Sequence, residues 1–281
     1  MASLAQIPFV IFDTETTGLS LTARIIEIGA VKVYRGKIIK EFCSLANPGR
    51  PIPPRATEIH GITDEMVADA PSIPFVLKNF SNFVEESILV AHNAVFDLRM
   101  LAIHLEREKI PLFPNPAIDT HQLLRKYFPN LGKYNLPYLI NYWQSPYQGY
   151  HRALPDARHT AFIFFRMLEK QGLTLRHSLE EFWHWAGEPL YVKKFLPSFD
   201  KCDLTDPRIR LILDAISKEK DLEIIYTNGR LAFKSRLVRP ILCFRSGKHH
   251  YMEAFCYNDL VIKTFRVDRI LKIINLGFPD D

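Results

Sequence analysis

Residues Ile7 to Phe12 form an apolar run that ends at Asp13 and Glu15, and this junction constrains the fold more than any other feature of the chain. Such a run predicts a buried strand. Side chains two apart on a strand project from the same face, so the two carboxylates are forced together at its end. Side by side in a half-buried place they repel and raise each other's pKa unless cations neutralise them, and hard oxygen ligands of this kind suit Mg²⁺ or Mn²⁺. Strand ends also carry acids that simply meet water. The pair alone therefore leaves a metal role and a solvated edge both open.

The flanking segments point to a layered domain. Ile25 to Tyr34, a turn at Arg35-Gly36 and Ile38 to Leu45 extend the first strand into a three-stranded antiparallel meander. A Pro-rich loop from Pro48 to Pro54 precedes a helix over Ile73 to Glu86, a short strand over Ile88 to Ala91, and a helix capped by Asn93 that runs to Glu108. Helical patterns then cover Thr120 to Tyr127, Leu136 to Tyr142 and Asp156 to Gln171. A sheet followed by helices that must cover it is an α/β arrangement. From Leu173 to Thr205 aromatic and polar residues mix with Pro189 and Pro197, which reads as a partly ordered connector. A helix over Pro207 to Lys218 then precedes short strands over Glu223 to Thr227, Arg230 to Val238, Ile241 to Phe244, His250 to Tyr257 and Val261 to Val267. Turn signals at Asn228-Gly229, Ser246-Gly247 and Asn258-Asp259 separate several of these, as in a small all-β barrel. The expected division is a first domain over 1–175, a connector over 176–205 and a second domain over 206–281.

With 281 residues, 47% of them hydrophobic, the chain can bury one large core and one small one. No stretch reaches the roughly 18 consecutive apolar residues of a membrane span, and no basic start precedes a greasy core and cleavage site. A cytoplasmic protein without membrane contact is expected. Cys43, Cys202, Cys243 and Cys256 form no C-x-x-C pair, so they read as reduced structural thiols rather than a disulfide framework or zinc site. The formal charge of +5 is unevenly spread: residues 1–205 hold 22 Lys or Arg against 21 Asp or Glu, and residues 206–281 hold 14 against 10. No acid occurs from Ile224 to Met252, where Arg230, Lys234, Arg236, Arg239, Arg245 and Lys248 lie among Tyr226, Phe233, Phe244 and Tyr251. Such a run suits a phosphate backbone, and equally a solvated sheet face with no ligand.

Further polar groups recur at spaced points of the first domain. Thr16-Thr17-Gly18-Leu19 supplies hydroxyls and a glycine where backbone can approach a ligand closely. His92-Asn93-Ala94-Val95-Phe96-Asp97 places a third carboxylate in the first turn of a helix, beside an aromatic ring able to stack on a base. A helix start also favours an acid for its own sake. His151 precedes Asp156 by five residues, and a loop histidine with an acid at a helix start forms a base and ligand pair.

Taken together, Phe12 to Leu19, Ile59-His60-Gly61-Ile62-Thr63, His92 to Asp97 and His151 to Ala157 resemble the ordered motifs of the DEDDh exonucleases, the DnaQ-like family of the proofreading subunit of bacterial replicative polymerase. The resemblance spans roughly residues 7–175 and keeps all five signature residues in order. It implies a ribonuclease H-like fold, a mixed sheet flanked by helices, and metal-dependent 3′-to-5′ removal of nucleoside 5′-monophosphates from single-stranded or frayed ends, DNA rather than RNA. By the same resemblance Asp13, Glu15 and Asp156 ligate two Mg²⁺ or Mn²⁺ ions, and Asp97 completes the cluster directly or through water. His151 is the general base. Thr14, Thr16, His60, Asn93 and Phe96 then surround the terminal nucleotide, and Leu19 wedges against its neighbour.

Arg236 to Pro240, His250 to Cys256 and Thr264 to Ile270 resemble the WYL domain, a small barrel related to Sm and SH3 folds. His250 and Met252 stand where that family has Trp and Leu, while Tyr251 and Phe265-Arg266-Val267-Asp268-Arg269-Ile270 fit. The resemblance implies a nucleic acid or nucleotide ligand held by Arg236, Arg239, Tyr251, Arg266 and Arg269; packing and pairing with Asp268 is the structural alternative. A nucleic-acid-binding regulator with an inactive exonuclease fold, and an RNA-trimming exonuclease, are the competing functions.

Overall fold

The computed structural model describes residues 3–196, 202–227, 233–246 and 248–275. The chain separates into two compact units, one comprising Met1–Thr17 and Ala23–Leu196 and the other Gly18–Thr22 and Pro197–Asp281. The expected turn at Asn228-Gly229, Arg230, and Gly247 of the turn at Ser246-Gly247 lie outside the described residues.

In the first unit, β1 (Phe9–Thr16), β2 (Ile25–Tyr34) and β3 (Lys37–Leu45) form the expected meander. Two short strands, β4 (Ile88–Ala91) and β5 (Ala117–Asp119), add parallel to β1, giving a five-stranded mixed sheet in the order β3-β2-β1-β4-β5. β5 escapes a sequence reading because three residues carry no period. Around the sheet lie α1 (Pro54–His60), α2 (Asp64–Ala68), α3 (Ile73–Val84), α4 (Ala94–Arg107), α5 (Thr120–Tyr127), α6 (Leu136–Trp143), α7 (Ala153–Lys170) and α8 (Leu179–Ala186). The loop expected up to Pro54 gives way there to α1. Proline suits a first helical position, and Gly61, at φ 70°, ends the helix left-handed.

Central β1 is covered on both faces, and its residue parity decides what meets what. Phe9 packs edge-on or tilted against Phe164 and Phe165 of α7 and Phe182 of α8, with centroids 5.6, 6.0 and 5.7 Å away. Phe12, on the opposite face, packs against Phe80 of α3 at 5.6 Å. Asp13 and Glu15 share the parity of Phe9, so they emerge on the α7 side, whereas Thr14 points the other way. The segment expected as connector carries α8, whose Phe182 is fully buried in this core.

α7 reaches the sheet where β2 has no side chain. Gly29 lies opposite Asp13 in the β1–β2 ladder, and a Cβ there would overlap the Leu154 amide nitrogen and the Ala153 carbonyl carbon. Two residues earlier on β2, Glu27 is wholly buried. Its carboxylate accepts from the Arg152 guanidinium, at 3.0 Å from Nε to Oε2, and from the Ala153 N–H at 2.9 Å. The first turn of α7 is thus pinned to β2, and with it Asp156.

In the second unit α9 (Pro207–Ser217) is capped by Asp206, which accepts from the Arg208 N–H at 2.9 Å. The sheet beside it runs in the order β10-β6-β7-β8-β9, from β6 (Leu222–Thr227), β7 (Phe233–Ser246), β8 (His249–Cys256), β9 (Val261–Arg266) and β10 (Ile270–Asn275). The two strands expected around Pro240 are one: a register shift between Pro240 and Leu242 lets β7 continue past a residue that has no N–H to donate. Among the described residues β9 and β10 are the two edges of this antiparallel sheet, so the closed Sm- or SH3-like barrel expected from sequence is not what they form. Buried Glu253 accepts from the Leu21 and Thr22 amides, the latter at 3.0 Å, which explains why Gly18–Thr22 groups with this unit. No helix of the described residues is long and apolar enough to cross a membrane.

Substituting Gly29→Ala should cost about 1–3 kcal/mol or more, because the overlap is with backbone that cannot rotate away. Urea denaturation of the purified variant measures this. An unchanged midpoint would contradict the close approach of α7.

Candidate active site

The structure brings together Asp13, Glu15 and Asp156, each with a carboxylate oxygen within 4.8 Å of the others. β1 supplies the first two on one face, and the pinned start of α7 supplies the third. The Oδ2 atom of Asp156 accepts from the His151 N–H at 3.0 Å, while its Oδ1 is buried without a hydrogen-bond partner. An unpaired buried carboxylate oxygen is costly unless a cation meets it. Three converging hard oxygens, one of them orphaned, fit a divalent metal ion.

The electrostatics support the same fit. Burial, followed by the charges of Asp97, Asp156, Glu15 and Glu27, holds the Asp13 carboxyl well above its usual range. Burial with Asp156, Glu27 and Asp97 pushes Glu15 to about 8, against a lowering effect of Arg152. Asp156 rises to about 7 through burial and the charge of Glu27, although the His151 N–H opposes this. Asp97 also reaches about 7, raised by burial and opposed by its bonds to Thr14. At neutral pH these acids cannot all carry charge unless cations accompany them.

Asp97 is not among the three converging acids. Its Oδ1 accepts from the Thr14 hydroxyl at 2.6 Å and from the Thr14 N–H at 3.0 Å. Its link to Asp13 is through the strand and through charge. His151 has a left-handed backbone, φ 61°, and an exposed ring that meets Tyr150 edge-on at 4.7 Å. His60 is buried at the end of α1, accepting from the Ile62 N–H at 3.0 Å. Burial lowers its pKa, with Glu27 and a backbone bond to Thr16 opposing. Thr16 is buried, Phe96 half-buried, and Leu19 80% exposed. Asn93, also left-handed at φ 63°, caps α4 without a side-chain bond, and its N–H donates instead to Asp119 Oδ1 at 3.0 Å.

Several further residues shape the site, and of these only His92 and Arg152 lie inside the segments that carry the resemblance. Glu27 and Arg152 hold α7, and Asp119 orients Asn93 while capping α5 through the His121 N–H at 2.9 Å. His92 bridges two segments, with Nδ1 2.9 Å from the Thr120 hydroxyl and Nε2 2.7 Å from the Tyr134 carbonyl. A carbonyl only accepts, so Nε2 carries the proton and Nδ1 accepts from Thr120. Burial, opposed by the bond to Tyr134, holds this ring at about 4, hence neutral.

In the second unit three of the four expected ligand arginines are already paired. Arg236 meets Asp259, Arg239 meets Asp221 at 2.7 Å, and Arg266 meets Asp268, with 3.0 Å from its Nε to Oδ1. Tyr251 stacks on Phe244 at 5.5 Å, and Arg269 is half-buried beside Asp268.

The raised carboxyls set a direction for stability. Unfolded, they titrate near 4; folded, Asp97 and Asp156 titrate at about 7 and Glu15 at about 8. Across that window the native state holds more protons, so metal-free protein should lose stability as pH rises from about 5 to about 8. Added Mg²⁺ or Mn²⁺ should raise the denaturation midpoint, and more at the higher pH. A midpoint indifferent to both pH and metal would contradict the cluster.

Comparison with known proteins agrees with this geometry. Residues 10–164 match the exonuclease family, RNase T type, and residues 207–274 match the WYL domain. DNA polymerase III PolC-type of Streptococcus sanguinis (strain SK36) is 39% identical over 176 residues, 61% of this chain and 12% of the relative. That of Bacillus subtilis (strain 168) is 39% identical over 186 residues, 63% of this chain and 13% of the relative. The chain thus spans only about an eighth of those proteins' length. A solved structure of exonuclease X in complex with 5′ overhanging duplex DNA is 35% identical, with a TM-score of 0.51, covering 64% of this chain and 99% of that one. The E. coli exonuclease I–ssDNA complex, 13% identical, shares the fold with a TM-score of 0.56, over 96% of this chain and 65% of that one. With its mixed sheet, flanking helices and converging acids, the chain belongs to the exonuclease family, on a ribonuclease H-like fold joined to a C-terminal WYL domain.

Proposed function

We propose that this exonuclease works from the 3′ end, releasing nucleoside 5′-monophosphates from single-stranded or frayed ends, on DNA rather than RNA, with two Mg²⁺ or Mn²⁺ ions. One observation carries the reading: the convergence of Asp13, Glu15 and Asp156 around the orphaned Asp156 Oδ1. The likeness to exonuclease X, whose complex holds DNA, supports the choice of substrate.

Asp13, Glu15 and Asp156 hold the cations, which supply charge stabilisation to the phosphodiester under attack. Asp97 keeps Thr14 and the end of β1 in register. His151 takes the proton of the attacking water. Its N–H fixes the backbone to Asp156, while its exposed ring can turn toward a bound end. Thr16, His60, Asn93 and Phe96 surround the terminal nucleotide, while the Thr14 hydroxyl and N–H are both given to Asp97. In the WYL domain, Asp259, Asp221 and Asp268 neutralise Arg236, Arg239 and Arg266, which favours a structural role for those three. Tyr251 and Arg269 are left as the candidates for a nucleic acid or nucleotide contact.

Asp13→Ala should abolish metal-dependent cleavage in a folded protein, and His151→Ala should lower kcat about a hundredfold with little change in KM. Gel analysis of 5′-labelled single-stranded DNA with Mg²⁺ or Mn²⁺ tests both. A ladder shortening from the 3′ end, with 5′-monophosphates released, is expected; a labelled mononucleotide as first product, or full activity of Asp13→Ala, would contradict the reading.

A further inference from the structure

Asp13 and Asp156 line a cavity of about 770 Å³ whose other wall is built by His121, Lys133 and Asn135. The acids suit cations but repel a polyanion. A strand that delivers its terminal phosphodiester to them carries further phosphates into the same negative field. Lys133 is the one lysine or arginine among the described residues that line the cavity. The lysine ion pairs among the described residues are those of Lys32, Lys218 and Lys263, so no carboxylate there claims its ammonium.

The segment bearing Lys133 is held on both sides. Buried Leu131 anchors it before, and the Tyr134 carbonyl is fixed to neutral His92 at 2.7 Å after. The Tyr134 hydroxyl donates to the Phe128 carbonyl at 3.0 Å, and the Asn135 side chain caps α6 by accepting from the Tyr138 N–H at 3.2 Å. The backbone of Lys133 therefore sits on a fixed rim while its side chain is exposed. Asn135 and Leu136 also line the cavity, so the positive end of α6 faces the same space.

We propose that Lys133 is a substrate-binding residue that contacts a phosphate of the strand entering the carboxylate cavity. This rests on the exonuclease reading for the strand's direction, not for the contact itself. The contact is electrostatic and acts on binding. Lys133→Ala therefore raises KM and leaves kcat within a few-fold, whereas Lys133→Arg keeps the charge and the affinity.

Equilibrium binding of a single-stranded oligodeoxynucleotide to the full chain, in EDTA at low salt so that no turnover occurs, isolates this contact. Lys133→Ala should bind about fivefold to tenfold more weakly. The slope of log affinity against log salt should be shallower by about 0.7, one phosphate's share on a single strand. Lys133→Arg should match the wild type. Replacing one of the last few 3′ linkages by a neutral methylphosphonate should weaken the wild type by the same factor and leave Lys133→Ala unaffected at that linkage. Equal affinity and slope for wild type and Lys133→Ala, or identical methylphosphonate losses in both, would overturn the proposal. The exonuclease reading fails separately, if metal-dependent digestion by the wild type is absent while the coupling between Lys133 and one linkage persists.

Discussion

The site depends on how closely α7 approaches β2. At Gly29 the sheet offers backbone alone, and the first turn of the helix occupies the space a side chain would take. Glu27 then holds that turn from within the core, accepting from Arg152 and from the Ala153 N–H. A buried carboxylate left without these donors would be strongly destabilising, by about 3–5 kcal/mol, so the contact enforces itself. Asp156 is carried to Asp13 and Glu15 as a consequence, since four residues along one helix turn leave little freedom in where it points.

The convergence has an electrostatic cost that the protein does not offset internally. Arg152 is the nearby cation, and it is engaged with Glu27. The remaining acids are left with raised pKa values and one orphaned oxygen. A fold could relieve this by protonation, or by admitting cations and the phosphodiester they stabilise. Exonuclease-family membership is what the second alternative looks like from the side of sequence. Asp97 is held differently from its three partners: its Oδ1 bonds Thr14 at the strand end, while its charge bears on Asp13.

Much of this was legible in the chain itself. The apolar run into Asp13 and Glu15 set the strand, its parity and the shared face, because period-2 alternation leaves no other arrangement. The same parity separates Thr14 from the acids. The contribution of Glu27 was hidden, since a glutamate inside an apolar strand reads as a flaw in the pattern until its partner 125 positions away is known. β5 and α2 were too short to show a period, and Pro240 disguised β7 as two strands. Two arginines of the basic run, Arg236 and Arg239, pair with Asp259 and Asp221, acids that lie outside the run in sequence but beside it in the sheet. The rim around Lys133 was equally invisible, because it is assembled by His92, Phe128 and Asn135 from three separate segments.

The central claim is that the three converging carboxylates form a cation site. Anomalous diffraction from crystals grown with Mn²⁺ and a nucleoside 5′-monophosphate tests it most directly. The account predicts a manganese peak within coordination distance, about 2.0–2.3 Å, of oxygens from Asp13, Glu15 and Asp156, including the Asp156 Oδ1 that now lacks a partner. Manganese ordered elsewhere, with those three side chains unliganded, would contradict it.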